Sequence, residues 1–510
     1  MKKIILLLVF LFSIGFTSAQ VTFFKTITGL NESSDYVEQT TDGGYVIAGV
    51  SADTTNYNGL VIKTNSVGDT IWTKVYGNVA QFHSGKQTSD GGYILLGVIR
   101  NFIAGNDDMY ILKIDSLGNI QWQNMIDAGS YEEGKCIKQT SDGGYIIVGN
   151  NYSLGLACIV KLDGSGNVLW NHILRRNIQL NSIEQTNSGG YVALGAQYVP
   201  ATGSKSYLIK LDGLGTVLWS KIFSGSANDY GKSIVQTNDN GYMLLGATDT
   251  VNAMSIIKTD STGNFLWGKS YKGAMGNYAS SLKKVNNGNF IISSAFLTNP
   301  SDWNTKMLFT LIDSTGSELW SRFMGNDPYP GLMYSIGTYA AQTTDGGYIF
   351  TGSLKSPIET GYLYFIKADS MGRNGCNDTL ISLIANTYTP AVNIPIDTLT
   401  SGLTFTTPTY FASTRSDTII TYCTSVGINE LSSTSQISIY PNPSSGQFNF
   451  NGLEKGNKIE VFDMTGKIIY EGQASSDFET INISENAKGI YFYRITDESK
   501  LLGSGKICVK

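Results

Sequence analysis

The chain has 510 residues, of which 57 are glycine, 29 are tyrosine and only 15% are charged. An average soluble domain has about 25% charged residues, so this composition argues against coiled coils, helical bundles and acidic disordered tails. Thirty-six basic against 41 acidic residues give a formal net charge of −5, which leaves no basic field to attract nucleic acid. Two histidines and five cysteines without zinc-ligand spacing favour neither a metal site nor a cofactor.

The N-terminal residues predict an export signal. Lys2 and Lys3 precede an apolar run over 4–16, and Thr17, Ser18 and Ala19 supply the small residues of a cleavage site. The apolar run is shorter than the roughly 20 residues that a membrane-spanning helix needs. We expect residues 1–19 to be a signal peptide and the remaining chain to have no transmembrane span.

One seven-residue motif recurs through the first 370 residues. It reads Gln-Thr-Thr-Asp-Gly-Gly-Tyr at 39–45 and returns at 87–93, 139–145, 185–191, 236–242 and 342–348, with a degenerate copy at 284–290. A second motif, a tight turn followed by tryptophan, comes about twenty residues later. Its tryptophans lie 48 to 53 residues apart, the spacing expected of four-stranded propeller blades. They are Trp72, Trp122, Trp170, Trp219, Trp267 and Trp320.

Each repeat predicts four short strands separated by glycine turns. In the fourth repeat the strands are predicted at 182–186, 191–195, 207–211 and 217–223. Glycine suits these turns because hairpins require positive φ, which other residues adopt only at a cost. We interpret the aspartate of the second motif as a turn former and its tryptophan as packing, since both recur in almost every repeat.

The seventh repeat lacks its fourth strand. Residues 373–376 stand where that strand should be, whereas 21–29, directly after the predicted signal peptide, resemble a fourth strand with no repeat of its own. We expect 21–29 to complete the last blade, which closes the ring and leaves no exposed sheet edge. The predicted fold is all-β, a seven-bladed β-propeller over 20–376 followed by a small C-terminal β-sandwich.

The variable loops predict where a ligand binds. If the N-terminal strand is outermost in its blade, the recurring turns share one face and the variable loops share the other. Binding sites are usually placed on variable loops of a rigid scaffold. We therefore predict a ligand site on the variable face near the central channel, with the candidate residues His83, Glu133, Asp229, Tyr230, Tyr278, Trp303, Asp327 and Tyr329.

Residues 377–435 form a Ser/Thr-rich segment, which is either a linker or a small β segment. Cys376 and Cys423 bracket it, and in a secreted protein we predict a disulfide between them that contributes about 4 kcal/mol. Cys136 and Cys158 fall on the first and third strands of one repeat, about 10 Å apart, which is too far for a disulfide. We predict that both are buried thiols.

The sequence pattern of residues 436–510 predicts that they form a compact β unit. It opens with Tyr-Pro-Asn-Pro at 440–443, continues through a hairpin at 463–466 and contains a Gly-Ile-Tyr-Phe strand at 489–492. These residues resemble the C-terminal sorting domain of the type IX secretion system of Bacteroidetes. The resemblance implies recognition by the type IX machinery at the outer membrane, removal of the tail, and release or anchoring at the cell surface. The residues that carry it are Pro441, Asn442, Pro443, Gly446, Gly466, Gly489 and Tyr491.

The leading functional interpretation is a secreted or cell-surface propeller that binds a glycan or protein ligand and has no catalysis of its own. One alternative is a glycosidase or lyase that uses Glu133, Asp229 and Asp327 as acid and base. Such chemistry requires two carboxyl groups about 5 to 10 Å apart. The other alternative is a structural component of the cell surface.

Overall fold

The computed structural model describes residues 20–509, with gaps at 29–31, 53–56, 78–79, 102–105, 128–130, 226–227, 249–252, 273–276, 300–303, 325–333, 356–360, 377, 396–398, 401–402, 407, 409–411, 416–417, 428–436, 464–465, 487 and 498–499. The predicted signal peptide at 1–19 lies outside the described residues. The regular structure of the described chain is β throughout, and no helix within it could cross a membrane. Two compact units are present, one over Gln20–Gly427 and one containing the C-terminal residues.

The first unit is a ring of seven antiparallel blades, as predicted. After β1 (Gln20–Thr28), blade 1 contains β2 (Glu32–Gln39), β3 (Tyr45–Ala52), β4 (Tyr57–Thr64) and β5 (Thr70–Tyr76), and blade 2 contains β6 (Ala80–Gln87), β7 (Tyr93–Asn101), β8 (Asn106–Ile114) and β9 (Ile120–Asp127). Blade 3 contains β10 (Glu132–Gln139), β11 (Tyr145–Asn151), β12 (Leu156–Leu162) and β13 (Val168–Leu174), and blade 4 contains β14 (Ile178–Gln185), β15 (Tyr191–Val199), β16 (Gly203–Leu211) and β17 (Val217–Ser224). Blade 5 contains β18 (Asp229–Gln236), β19 (Tyr242–Thr248), β20 (Ala253–Thr259) and β21 (Phe265–Lys272), and blade 6 contains β22 (Asn277–Lys284), β23 (Phe290–Asn299), β24 (Asn304–Ile312) and β25 (Glu318–Met324). Blade 7 contains β26 (Tyr334–Gln342), β27 (Tyr348–Lys355) and β28 (Tyr362–Ala368).

The N-terminal strand closes the ring. β1 pairs antiparallel with β28, with Phe23 opposite Lys367 and Ile27 opposite Leu363. It therefore supplies the fourth strand that blade 7 lacks, which confirms the predicted closure. Phe23 stands at the place that tryptophan occupies in the other blades, against the Gly68 turn of blade 1.

The segment after the ring forms a belt around it, which we define as Asp378–Gly427. Its strands are β29 (Asp378–Ile381), β30 (Ile384–Thr387), β31 (Ala391–Asn393), β32 (Leu399–Thr400), β33 (Thr404–Thr406), β34 (Ala412–Arg415) and β35 (Thr418–Gly427). They add a fifth strand to blades 6, 5, 4, 3, 2, 1 and 7 in that order, so the belt runs backwards around the ring. Each belt strand pairs with the outer edge of a blade and uses hydrogen-bonding groups that would otherwise be exposed. The segment for which the sequence left a linker or a small β segment open is therefore part of the propeller unit.

Side chains of the belt reach into the blades beneath them. The Arg415 guanidinium bonds the carboxylate of Glu32, which is 1% exposed, and the hydroxyl of Ser51. The Tyr388 hydroxyl donates to Asp229 at 2.9 Å. A buried carboxylate is costly without a partner, so these two contacts hold the belt to blades 1 and 5.

Adjacent blades pack through the recurrent tryptophans. Trp219 of blade 4 lies 6.1 Å from the ring of Tyr242 in blade 5 and covers the turn at Gly263. Each turn of this kind is held by an aspartate such as Asp212, whose Oδ1 accepts from the backbone amides two and four residues later, at 2.9 and 2.8 Å. The predicted scaffold roles of aspartate and tryptophan are confirmed.

The C-terminal unit is a two-layer β-sandwich. Its sheets contain β36 (Ser438–Tyr440), β37 (Gln447–Asn451) and β40 (Phe478–Asn482), and β38 (Lys458–Phe462), β39 (Ile468–Gln473), β41 (Gly489–Asp497) and β42 (Lys500–Val509). Phe448 and Phe450 of the first sheet pack on Ile459 and Tyr491 of the second in a core of its own. Alternation of apolar and polar residues along these strands produces this arrangement.

Candidate functional site

The innermost strand of every blade carries a β-bulge at the same position. In β2 the register shifts between Ser34 and Tyr36, so Asp35 is left out of the ladder, and the other six inner strands shift in the same way. A bulge re-aims the side chain of the extra residue. We call the seven extra residues the bulge ring; they are Asp35, His83, Lys135, Asn181, Lys232, Ser280 and Thr338.

All seven residues of the bulge ring line one cavity of about 260 Å³ in the central channel. Hydroxyl groups of Ser84, Ser182, Ser233 and Ser281 also line it. Each blade contributes a polar bulged residue to the same level of the channel, and Tyr339 adds an aromatic face. Seven distant stretches of chain thus converge on one site.

His83 is held between two carboxylates of neighbouring blades. Its Nδ1 lies 2.8 Å from Asp35 Oδ2, and its Nε2 lies 2.9 Å from Glu133 Oε1. Burial disfavours the charged imidazole, but the hydrogen bonds to the two carboxylates outweigh it and raise the pKa of His83 to about 9. Glu133 also accepts from Lys135 Nζ at 2.7 Å. Burial would raise the pKa of Glu133, but His83 and Lys135 together hold it well below its usual range.

A second cavity of about 620 Å³ continues the channel toward the face with the recurring turns. Lys138 bonds Glu184 across blades 3 and 4 at 2.7 Å, and Lys86 bonds Glu38 across blades 2 and 1. Lys283 lies 4.6 Å from the centre of the Tyr339 ring, an attractive cation–π contact. Among the described side chains it forms no ion pair.

The channel has an excess of positive charge. Among the described residues of the channel, six lysines and the protonated His83 face four carboxylates, an excess of three, in a chain whose formal net charge is −5. The cations are His83, Lys86, Lys135, Lys138, Lys232, Lys283 and Lys284, and the carboxylates are Asp35, Glu38, Glu133 and Glu184. Clefts of one sign with low-dielectric walls concentrate ligands of the opposite charge.

The structure brings only some of the predicted ligand residues together. His83 and Glu133 meet at the channel, and the ring of Tyr230 lies 5.9 Å from Lys232 Nζ. Asp229 is 2% exposed and accepts from Tyr388 and the Gly225 amide, so it anchors the belt and is withdrawn as a ligand residue. Its anchoring role needs a partner 159 residues away, which no local pattern reveals. The side chain of Tyr278 and the residues Trp303, Asp327 and Tyr329 lie outside the described residues.

Sequence reasoning missed most of the bulge ring. A signal was present, because each ring residue stands four positions before the first residue of the seven-residue motif. When the repeats are aligned by that motif, this position holds a polar residue in all seven repeats. Its identity varies between repeats, unlike the scaffold residues.

Two other clefts lie at the perimeter, where the belt crosses between blades. The larger, about 640 Å³, is bounded by the Trp219 strand, its preceding turn and belt residues Ile394, Pro395 and Leu399. The other, about 570 Å³, has the equivalent walls around Trp122. Their walls are the recurring packing elements of the blades, so we assign them to the scaffold.

The cysteines divide into thiols and a disulfide. Cys136 and Cys158 are buried free thiols, as predicted, and Cys508 is also free. Cys376 is disulfide-bonded. The backbone of Cys423 lies opposite Phe24 on β1, but its side chain is outside the described residues, so the Cys376–Cys423 pairing stays a prediction.

The sorting motif joins the start of the C-terminal unit to its last strand. Asn442 donates to the Lys506 carbonyl at 2.8 Å and accepts from the Cys508 amide at 2.9 Å. Gly446 has φ +110°, and a Cβ there would overlap the backbone of Ser484, so only glycine fits. These contacts give the motif a structural role within the unit.

Residues 438–510 match a family model described as a secretion system C-terminal sorting domain. The C-terminal unit is a type IX sorting domain. A protein that carries this domain is exported to the cell surface or the extracellular space through recognition by the type IX machinery. No curated protein matches the chain.

The solved structures that match the chain have low sequence identity to it. A Bacteroides caccae protein of unknown function is 14% identical, with a TM-score of 0.37 over 59% of this chain and 93% of its own. A Dyadobacter fermentans protein of unknown function is 9% identical, with a TM-score of 0.42 over 68% and 99%. PorZ of Porphyromonas gingivalis, a surface component of the type IX secretion system, is 9% identical, with a TM-score of 0.18 over 95% and 100%.

Proposed function

We propose that the propeller is a surface or secreted binding protein for an acidic glycan, whose carboxylate or sulfate group enters the channel and lies at the bulge ring. The observation that carries this proposal is the cationic cavity into which every blade contributes one polar bulged residue. A ligand anion there meets Lys135, Lys232 and protonated His83 in a partly desolvated space, where charge-assisted hydrogen bonds are strongest.

The size and chemistry of the cavity favour a sugar over a protein surface. Ligand pockets are typically about 300 to 1,000 Å³, so a cavity of about 260 Å³ accepts a single sugar-sized group. Asn181, Ser280 and Thr338 offer amide and hydroxyl groups that can donate to and accept from sugar hydroxyls. Tyr339 supplies an aromatic face at the same level.

The protonation states support binding rather than hydrolysis. Glycosidases need a carboxylic acid whose pKa is raised so that it can protonate the leaving group. Glu133 is held ionised by His83 and Lys135, and Asp229 is buried beneath the belt. Glu133 and Asp229 are therefore poorly suited to act as acid and base, and Asp327, the third carboxylate suggested by the sequence, lies outside the described residues.

The experiment measures binding of the secreted protein to acidic and neutral oligosaccharides, first on a glycan array and then by calorimetry. We expect uronate-containing or sulfated glycans to bind and neutral glycans of the same backbone not to bind. Affinity should fall as salt is raised, because the attraction is electrostatic. Lys232→Gln and Lys283→Gln should each weaken binding at least tenfold.

Lys221→Gln is the matched control, because it removes the same charge from the outer strand of blade 4, outside the channel cavities. It should bind like the unmodified protein. Equal affinity for neutral and acidic glycans would contradict the charge argument. Binding of acidic peptides in place of glycans would retain the anion site and reject the sugar.

A further inference from the structure

Three carboxylates meet where blade 2 faces blade 3. One carboxylate oxygen each from Asp108 on β8, Asp127 at the end of β9 and Glu132 at the start of β10 lies within 4.8 Å of the other two. Asp108 is 6% exposed and Glu132 is fully buried. Gathering like charges in a desolvated place is costly unless a counter-charge is bound.

One oxygen of Asp108, Oδ1, is buried without a hydrogen bond among the described residues. Two residues earlier on the same face of β8, the amide oxygen of Asn106 is likewise buried without a hydrogen-bond donor among described groups. Buried oxygens almost always accept a hydrogen bond or coordinate an ion, so these two oxygens indicate a bound cation.

We infer that Asp108, Asp127 and Glu132 form a Ca²⁺ site that joins blades 2 and 3, with Asn106 as a further oxygen donor. The three carboxylates and the Asn106 amide offer oxygen only, and no described histidine or cysteine belongs to the cluster, which favours a hard cation over zinc. The three carboxylate oxygens lie within 4.8 Å of one another, which is compatible with coordination of one Ca²⁺ ion at about 2.4 Å. Ca²⁺ accepts six to eight oxygen ligands in flexible geometry, whereas Mg²⁺ demands near-ideal octahedral geometry and usually keeps several waters, so a site built from several protein oxygens favours Ca²⁺.

The position of the cluster gives the ion a role in the fold. Asp127 ends the outer strand of blade 2 and lies opposite Thr404 of the belt, whereas Glu132 begins the inner strand of blade 3. The Asn151 side-chain amide donates to Glu132 and holds it toward the cluster. An ion here therefore links two blades at the edge that the belt covers, and its binding stabilises the folded ring.

The test is a calcium titration of the secreted protein after chelator treatment, by calorimetry and by thermal unfolding. We expect one Ca²⁺ per chain, bound at least tenfold more tightly than Mg²⁺. The melting temperature should rise by about 3 °C at a hundredfold excess of Ca²⁺ over its Kd. Asp108→Asn and Asp127→Asn should each lose at least tenfold in calcium affinity.

Asp163→Asn is the matched control, because this aspartate stabilises an exposed turn of blade 3 and its substitution changes net charge equally. It should bind Ca²⁺ like the unmodified protein.

In the absence of Ca²⁺, Asp108→Asn should have a melting temperature equal to or above that of the calcium-free parent, since it removes one repelling charge. If that variant does not fold, Asp127→Asn decides the question. Absence of Ca²⁺ uptake up to about 10 mM, ten times the weak end of about 1 mM for extracellular calcium modules, would overturn the inference. Normal calcium affinity in both variants would overturn it as well. Neither result bears on glycan binding.

Discussion

Replacement of one turn glycine by alanine tests how the blades are locked together. Gly263 has φ +77° and lies beneath Trp219 of the preceding blade, where an added Cβ would be 2.6 Å from Cζ3 of the indole. Gly189, in another recurring turn, has φ +85° and nothing within 4 Å of an added Cβ. The two glycines therefore share the backbone conformation but differ in the steric contact.

The expected costs follow from these two terms. Alanine in the left-handed region costs about 1 kcal/mol relative to glycine, and Gly189→Ala should show that cost alone. Gly263→Ala adds an overlap with a packed side chain, which typically costs about 1 to 3 kcal/mol. We expect Gly263→Ala to reduce the free energy of unfolding by about 3 kcal/mol, some 2 kcal/mol more than Gly189→Ala.

Urea denaturation followed by far-UV circular dichroism measures this difference. Because unfolding entropy is about 2.1 cal/mol/K per residue, a ring of about 400 residues shifts by roughly 1 °C per kcal/mol in thermal unfolding. In a Trp219→Leu background, Gly263→Ala should cost only about 1 kcal/mol, since the overlapping ring is gone. Equal costs for the two glycines, or an unchanged excess in that background, would refute the blade-lock explanation.

Two further predictions concern titratable groups of the ring. In five blades the aspartate of the first turn forms an ion pair with a lysine of the third strand. Blade 4 has Ser188 in place of that aspartate, so its lysine, Lys210, has no such partner. Burial lowers the pKa of Lys210 to about 8. In the unfolded chain Lys210 keeps its proton up to about pH 10.5, so the free energy of unfolding should rise between pH 8 and 10.5. Ser188→Asp should abolish this rise and increase the free energy of unfolding at pH 7 by about 1 kcal/mol. Urea denaturation measures both effects. The pKa of His83 is instead raised from 6.5 to about 9, so its stabilisation is complete below pH 6.5 and lost as pH rises through 9. That loss, at most about 3 kcal/mol, should disappear in His83→Gln, and an identical pH profile in the variant would exclude the carboxylate cage as its source.

Local patterns were sufficient for the parts of the fold that repeat. The glycine turns, the aspartate that holds each second turn and the tryptophan after it recur at a constant spacing, and each works through neighbours in the same or the next blade. The closing strand was also readable, because 21–29 resembles the fourth strand that blade 7 lacks. The type IX sorting domain was recognisable for the same reason, since its motif residues are close in sequence and act within one small unit.

The candidate site could be predicted only in outline. The sequence placed His83 and Glu133 near the channel, but it did not show that a bulge in each of seven inner strands turns one residue into a common cavity. Asp229 looked like a ligand residue because it is an acidic residue on a variable loop. Its burial depends on Tyr388, which the chain reaches only after passing around the ring.

By itself the sequence determined a secreted, seven-bladed, glycine-rich ring with a sorting domain, because those features rest on local turns and on a periodic pattern. The tertiary structure alone decided the path of the belt, the convergence of the bulge ring and the meeting of Asp108, Asp127 and Glu132. These depend on pairings between distant segments, such as Arg415 with Glu32, 383 residues apart. Contacts of that range leave no periodic trace in the chain, since each is made once and by side chains that are ordinary in their own neighbourhood.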